Sequence, residues 1–458
     1  MLKVFRSRVC PLLTPSCIGA ARLFGSFSAV GMVFAALFCG GIAWAQSSHA
    51  VDSDGKGAYK TGKYRNLFAE AGHSQAEIDA KINAAYEQLF HGDGETQSLF
   101  FAAEKNENGQ LAYVTDWANH DVRTEGMSYA MMIAVQMNKK DEFDALWNWV
   151  MTHMYISDPA HPSYGYFSWS AKTSGEAREE TPAPDGEEYF AMSLLFAANR
   201  WGSGAGIYDY HAQAERLLRA MRHREVKSGQ TKFGPRRVGP EMNEEHTMIL
   251  FVPGVMEHPF SDPSYHLPAF YELWARWGPE EDREFWARAA EVSRDYFVKS
   301  TNPKTGLAPV YANFDGTPHQ TRFVQSDEFG YDAWRTASNW SVDWSWWHKD
   351  PTEQVLSDRI QTFFAGQGID KYSPVYTLDG KPMGSTPGFT PETNAPIGLV
   401  GTNAVASLAA KDKAQARQFV DALWNAPIPD GYSRYYDGML YMMSLLHASG
   451  EFRIWAPK

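Results

Sequence analysis

Helical periodicity runs through this chain from about residue 60 to its end, and it constrains the fold more than any other feature. Ser74-x-x-Glu77 is a capping box, and Ile78, Ile82, Ala85, Tyr86, Leu89 and Phe90 then mark one helical face. Similar runs begin near residues 125, 141, 187, 209, 265, 280, 328, 352, 398, 413 and 433. They predict an all-α protein of about twelve helices, with no convincing series of alternating strands. No linker, low-complexity tract or charge block interrupts the pattern, so residues 46–458 read as a single domain. Helices in this number suggest six hairpins closing into a double ring. A superhelical solenoid of helix pairs is the rival, and the lack of a fixed-period repeat weighs against it. Long connections such as 156–186 and 224–263, rich in Gly, Pro and aromatic residues, are expected to gather at one end and build a cleft.

The first 45 residues stand outside this pattern. Lys3, Arg6, Arg8 and Arg22 are basic, and no acidic residue precedes Asp52. An apolar run from Phe27 to Trp44 ends in Ala43-Trp44-Ala45, a small-residue site that predicts cleavage before Gln46. The expectation is a secretory signal peptide over 1–45, with a periplasmic or secreted product that keeps no stable membrane association once the signal is removed. A retained anchor is the rival reading, but the run is short for a membrane span and carries glycines at its end. Phe38 ahead of Cys39 argues against a lipoprotein site. Cys10, Cys17 and Cys39 all lie in this leader, so the mature chain has no disulfide, thiolate ligand or cysteine nucleophile.

Losing the leader takes the net charge from −12 to −16, which argues against a nucleic-acid partner. Aromatic residues make up 14%, with 16 Trp, 22 Tyr and 27 Phe, more than core filling usually requires. Flat, partly exposed rings are what carbohydrate clefts use.

Three segments combine carboxylates with glycine and aromatics. In Asp121-Val-Arg-Thr-Glu-Gly-Met-Ser-Tyr129, Glu125 opens an apolar helix that should carry it into the interior, where burial raises a carboxyl pKa as a general acid requires. A helix N-terminal glutamate favoured by the dipole would look the same in isolation. The second segment runs from Thr181 to Trp201; there Asp185 is expected to cap a helix whose first turn holds Glu187 and Glu188. In the third, Phe329-Gly-Tyr-Asp-Ala-Trp-Arg335, Asp332 and Arg335 lie three apart on one helical face. The guanidinium could hold that carboxylate ionised and oriented, as a general base for water needs, although a plain surface ion pair is equally compatible. His120, His246 and His266 are scattered without ligand spacing, and neither a Gly-x-Ser-x-Gly elbow nor a phosphate loop occurs. What remains is carboxylate chemistry in an aromatic cleft, which is glycoside cleavage or a close relative of it.

DVRTEGMSYAMM, APDGEEYFAMSLLFAANRW and FGYDAWR together resemble glycoside hydrolase family 8. The segments RNLFAEAGHSQAEIDAKINAAYEQLFHGD, DPSYHLPAFYELWA and GLVGTNAVASLAA look most like its xylan-directed members, and the resemblance covers nearly all of residues 60–450. It implies an (α/α)6 barrel, an inverting mechanism and no metal or organic cofactor. It also implies roles: Glu125 as proton donor, Asp332 as catalytic base, and Asp185 as the residue that binds and distorts the sugar. Tyr265 matches a tyrosine that helps hold the attacking water, Arg335 the arginine beside the base, and Trp169 the sugar-stacking tryptophan.

The expected activity is cleavage of β-1,4-xylosidic bonds in xylo-oligosaccharides, with xylose released from the reducing end. One departure pulls against it. Where the exo-acting members carry a Leu-His-Pro kink that closes the cleft, this chain reads Asn394-Ala395-Pro396. An open loop would let longer xylan pass, as in an endo-acting enzyme, whereas Phe389 filling the gap would preserve exo action. A β-1,4-glucanase and a carbohydrate-binding protein on the hydrolase fold are the further alternatives. The sequence carries no signal for oligomeric state.

Overall fold

A computed structural model describes residues 56–322, 325–369, 371–383 and 396–458. The predicted leader, Phe389 and Asn394-Ala395 lie outside the described residues. Among the described residues, two one-turn helices, Ala58–Thr61 and Leu67–Glu70, are followed by twelve longer ones. They are α1 (Gln75–His91), α2 (Thr124–Gln136), α3 (Lys140–Trp149), α4 (Pro184–Trp201), α5 (Tyr210–His223) and α6 (Pro268–Trp277). The second half contributes α7 (Arg283–Ser300), α8 (Thr336–Trp347), α9 (Thr352–Gln367), α10 (Ile397–Val405), α11 (Lys413–Asn425) and α12 (Arg434–Ser449).

The even-numbered helices form an inner ring. α2 packs on α4, α6 on α8, α8 on α10, α10 on α12, and α12 back on α2. Side chains complete the circuit between α4 and α6, where Tyr189 and Phe270 meet edge to face at 5.1 Å. Each odd-numbered helix covers one inner neighbour from outside: α1 lies on α12, α3 on α2, α5 on α4, α7 on α6, α9 on α8 and α11 on α10. This is the (α/α)6 barrel.

Residue pattern explains which ring a helix joins. A helix that is apolar all round must be enclosed, and in α2 every side chain but Glu125 is buried. Outer helices carry one apolar stripe: α5 buries Ala214, Leu217, Leu218 and Met221 while Glu215 and Arg219 face outward and pair. The capping box on α1 is present in full, with the Ser74 N–H donating to Glu77 at 2.8 Å. The six predicted apolar positions of α1 are the buried ones.

Two features differ from the sequence reading. The long loops hold short antiparallel pairs, among them Phe100–Asn106 with Gly109–Val114 and Lys227–Thr231 with Gly234–Val238. The helical run expected near residue 328 is instead a two-residue strand, Phe329–Gly330, and a 3-10 turn, Tyr331–Arg335, before α8 begins. Tyr331 has φ 43°, a left-handed backbone that a continuous α-helix cannot accommodate.

Because inner helices alternate with outer ones, all six inner helices point the same way, and their N-termini gather at one end. Glu125 lies in the first turn of α2, Asp185 in the first turn of α4 and Tyr435 in that of α12, while Asp332 and Arg335 immediately precede α8. The positive ends of several helix dipoles therefore meet where the carboxyls do.

Candidate active site

Arg335 is the hub of this end. Its side chain is buried, and Nη1 donates to Glu125 Oε2 at 3.1 Å, to Asp185 Oδ2 at 2.9 Å and to the Tyr129 hydroxyl. Nη2 donates to Ser264 Oγ at 3.0 Å and stands 3.4 Å from Asp332 Oδ1. Pairing Arg335 with Asp332 alone, as the sequence suggests, is too narrow: one planar cation spans three carboxyls drawn from three inner helices or their approaches.

Glu125 is set by its flanks. The strand Val122–Arg123 ends against Trp169, whose carbonyl accepts the Thr124 N–H at 3.0 Å, and α2 starts there. The Tyr435 hydroxyl donates to Glu125 Oε1 at 3.0 Å, so both carboxyl oxygens are held. Burial pushes the Glu125 carboxyl up to about 8, against the opposing pull of Arg335, and the charges of Asp185 and Asp332 push the same way as burial. A carboxyl that keeps its proton at neutral pH is what a general acid requires.

Asp185 occupies the second position of α4, after Pro184, with Ala183 as the N-cap residue. It is therefore a first-turn residue and not the cap the sequence suggested. Proline at the first position fixes the entry and leaves the carboxylate facing inward to Arg335. Burial pushes Asp185 up as well, again against Arg335.

Asp332 is the most open of the three, with 32% of its side chain exposed against 15% for Glu125 and 7% for Asp185. In a 3-10 turn, residues three apart eclipse, which brings its carboxylate over the Arg335 guanidinium. The two Arg335 contacts and the width of one guanidinium cap the distance between Glu125 Oε2 and Asp332 Oδ1 at roughly 9 Å. That ceiling is compatible with the roughly 6.5–9.5 Å that leaves room for an attacking water.

Tyr265 closes the site from the α6 side. It ends a 3-10 turn, Pro263–Tyr265, whose N-cap Asp262 accepts the Ser264 N–H at 2.7 Å. The Arg335 guanidinium lies 5.5 Å from its ring. Trp169 sits one step further out: the Arg123 guanidinium lies 5.6 Å from its ring and 5.8 Å from that of Tyr435. Arg123 is held in turn by Asp116 and Asp121, each at 3.1 Å.

Glu125, Asp185, Tyr265, Asp332 and Arg335 thus converge, with Trp169 linked to them through Arg123. The sequence reading missed Tyr435, Ser264 and the buried Asp262. It also gave no role to Tyr129 or to Asn339, whose side chain donates to the Ser264 carbonyl at 2.7 Å. Ser264 and Asp262 adjoin the Tyr265 motif and could have been found there. Tyr435 has no local signal, since it reaches Glu125 across 310 residues.

The family model for glycosyl hydrolases family 8 matches residues 106–450. A reducing-end xylose-releasing exo-oligoxylanase, Rex8A of Paenibacillus barcinonensis, is 44% identical over 402 residues, covering 88% of this chain and 99% of its own. The corresponding exo-oligoxylanase of Halalkalibacterium halodurans is 44% identical over 409 residues, covering 88% of this chain and 97% of its own. A Teredinibacter turnerae family 8 protein solved with xylobiose is 49% identical, with TM-score 0.84 over 88% of this chain and 100% of that one. With a family match across most of its length and its carboxyls meeting on one arginine, the chain belongs to the glycosyl hydrolases family 8.

Proposed function

We propose that the protein is an inverting glycoside hydrolase that cleaves β-1,4-xylosidic bonds in xylo-oligosaccharides and releases xylose from the reducing end. The observation that carries this is two carboxyls in unlike surroundings on one guanidinium: Glu125, enclosed and pushed up to about 8, and Asp332, one-third exposed. Glu125 enters protonated and gives its proton to the departing glycosidic oxygen. Asp332 takes a proton from a water on the opposite face, the water oxygen bonds to the anomeric carbon, and the configuration inverts. Asp185 hydrogen-bonds the sugar at the cleavage point and favours its distorted form, Tyr265 holds the water, and Trp169 stacks on an apolar sugar face. These steps need no metal or organic cofactor.

The xylose-releasing relatives support the substrate and the exo mode. Internal cleavage is the second reading, and two observations favour it. The bulky Leu and His of the exo-acting kink are Asn394 and Ala395 here. A catalytic mutant from Teredinibacter turnerae, described as a xylanase in its xylohexaose complex, is 48% identical. The leader adds that the enzyme works after export, in the periplasm or the medium.

Product analysis on xylotetraose and on its borohydride-reduced form tests the assignment. Xylose plus xylotriose from the free sugar, with the reduced sugar spared, is the expected result. Xylobiose as the chief product from both would establish internal cleavage. Silence on xylan, glucan and chitosan alike, with the sugars still bound, would leave a binding protein.

A further inference from the structure

The first turn of α12 is a part of the catalytic end that the proposed mechanism leaves unused, and two of its consecutive side chains bond to Glu125 and to the turn that carries Asp332. Tyr435, buried, donates its hydroxyl to Glu125 Oε1 at 3.0 Å. The next residue, Tyr436, donates to the backbone carbonyl of Tyr331 at 3.2 Å, and its ring lies 5.7 Å from that of Trp334. Tyr331 is the left-handed residue from which the Asp332 turn springs, so a bond to its carbonyl fixes the direction in which Asp332 leaves the strand.

The turn is itself anchored on both sides. Arg434, buried, donates to the carbonyls of Ser98 at 3.1 Å, Gly431 at 2.6 Å and Gly94 at 3.2 Å. Asp437 accepts the Gly398 N–H at 2.7 Å in the first turn of α10. Two of these approaches exist only because the facing residue is glycine. A Cβ on Gly126 would stand 2.5 Å from the Tyr435 ring, and one on Gly398 would stand 2.9 Å from the Asp437 carboxylate.

We propose that this turn is a positioning element for the reaction, in which Tyr435 orients the proton-donating carboxyl of Glu125 and Tyr436 orients the turn that carries Asp332. The inference deepens the hydrolase reading and rests on it. Both hydroxyls act through another residue. The acid would still be present without Tyr435, but Oε1 would lose its donor and the plane of the carboxyl would no longer be fixed toward the departing group. Because the two tyrosines are adjacent on one rigid turn, they also hold acid and base at a fixed mutual distance.

The two roles separate by leaving group. Protonation matters for a sugar leaving group and little for an activated one such as nitrophenolate, whereas the base serves both. The experiment compares wild type, Tyr435→Phe and Tyr436→Phe on xylotriose and on a nitrophenyl β-xylobioside, each across the pH range. Tyr435→Phe should lower kcat on xylotriose on the order of 10-fold or more and spare the nitrophenyl substrate. Its alkaline limb should move to higher pH, because the carboxylate form of Glu125 loses a donor. Tyr436→Phe should lower kcat on both substrates by a similar factor and leave the alkaline limb in place. Equal losses on both substrates for Tyr435→Phe, with an unchanged pH profile, would show plain packing and overturn the proposal, as would unchanged kinetics in either variant. Wild type that is silent on both substrates would defeat the hydrolase reading, a different outcome from any of these.

Discussion

Glu125→Gln tests the physical basis of the acid without relying on turnover alone. The amide keeps the shape of the side chain and can still accept from Tyr435, but it cannot ionise. In the wild type, burial lifts the folded carboxyl from its ordinary 4.5 to about 8, so between those values the folded state holds a proton that the unfolded state has lost. A group raised on folding contributes stability below its unfolded pKa, and that contribution is lost as pH rises to the folded one. From pH 5 to pH 8 the loss amounts to roughly 3–4 kcal/mol, at about 1.36 kcal/mol for every tenfold fall in proton concentration over that window. The glutamine variant escapes this penalty.

Calorimetry of wild type and Glu125→Gln at pH 5 and pH 8 therefore has a signed expectation. The variant's Tm advantage should grow by several degrees toward pH 8, while kcat falls by at least the roughly 10²–10⁴-fold of one acid–base group. The wild-type alkaline limb near pH 8 should disappear from the residual activity. A Tm difference that stays constant between the two pH values would show that Glu125 is not held protonated by its surroundings. The assignment of the acid would then fail even if the variant were inactive.

Asp332→Asn should lower kcat by a similar roughly 10²–10⁴-fold with KM for xylotriose nearly unchanged, as steady-state kinetics would show; a loss confined to KM would contradict a base. Arg335→Lys keeps the charge but not the planar fork, so Ser264 and two of the three carboxyls lose a donor; kcat should drop at least 10-fold and thermal unfolding should move down by several degrees. Gly126→Ala places a Cβ 2.5 Å from the Tyr435 ring and should cost about 1–3 kcal/mol in denaturant unfolding, with part of the cost recovered in a Gly126→Ala/Tyr435→Leu double variant.

The ring of helices was legible because each α-helix repeats its apolar positions every 3.6 residues and several announce their starts, as Ser74 and Glu77 do for α1. The hairpins were not, since their strands are short and half-exposed. The signal at hand, Asn106-Glu-Asn-Gly109 between apolar runs, marks a turn but not what flanks it. The break before α8 left no trace either. Tyrosine is not a residue that advertises a left-handed backbone, and the Phe329–Arg335 stretch reads as helical until Tyr331 is seen at φ 43°. The candidate site divides in the same way. Glu125, Asp185 and Asp332 each stand in a conspicuous local pattern, whereas the Arg335 bonds to Glu125 and Asp185 span 210 and 150 residues and depend on ring closure.

What ring closure adds is the assignment of roles. Three carboxyls around one guanidinium cannot all be charged at little cost, because a single positive charge cannot offset three negative ones, two of them enclosed. The cluster lowers its energy by keeping a proton; Asp185 is the most enclosed of the three, but its charged form accepts from Arg335 and from the Gly186 N–H, each at 2.9 Å. Glu125 is pushed up by burial and by the charges of Asp185 and Asp332, while Asp332 shows about twice as much surface to solvent. Glutamate and aspartate have nearly equal intrinsic acidities, so nothing in the residue types decides which donates and which accepts. The decision is made by depth on the inner ring: the first turn of α2 draws Glu125 under Tyr435, and the 3-10 turn before α8 lifts Asp332 toward the opening. Exchanging the two depths, and not the two residues, would exchange acid and base.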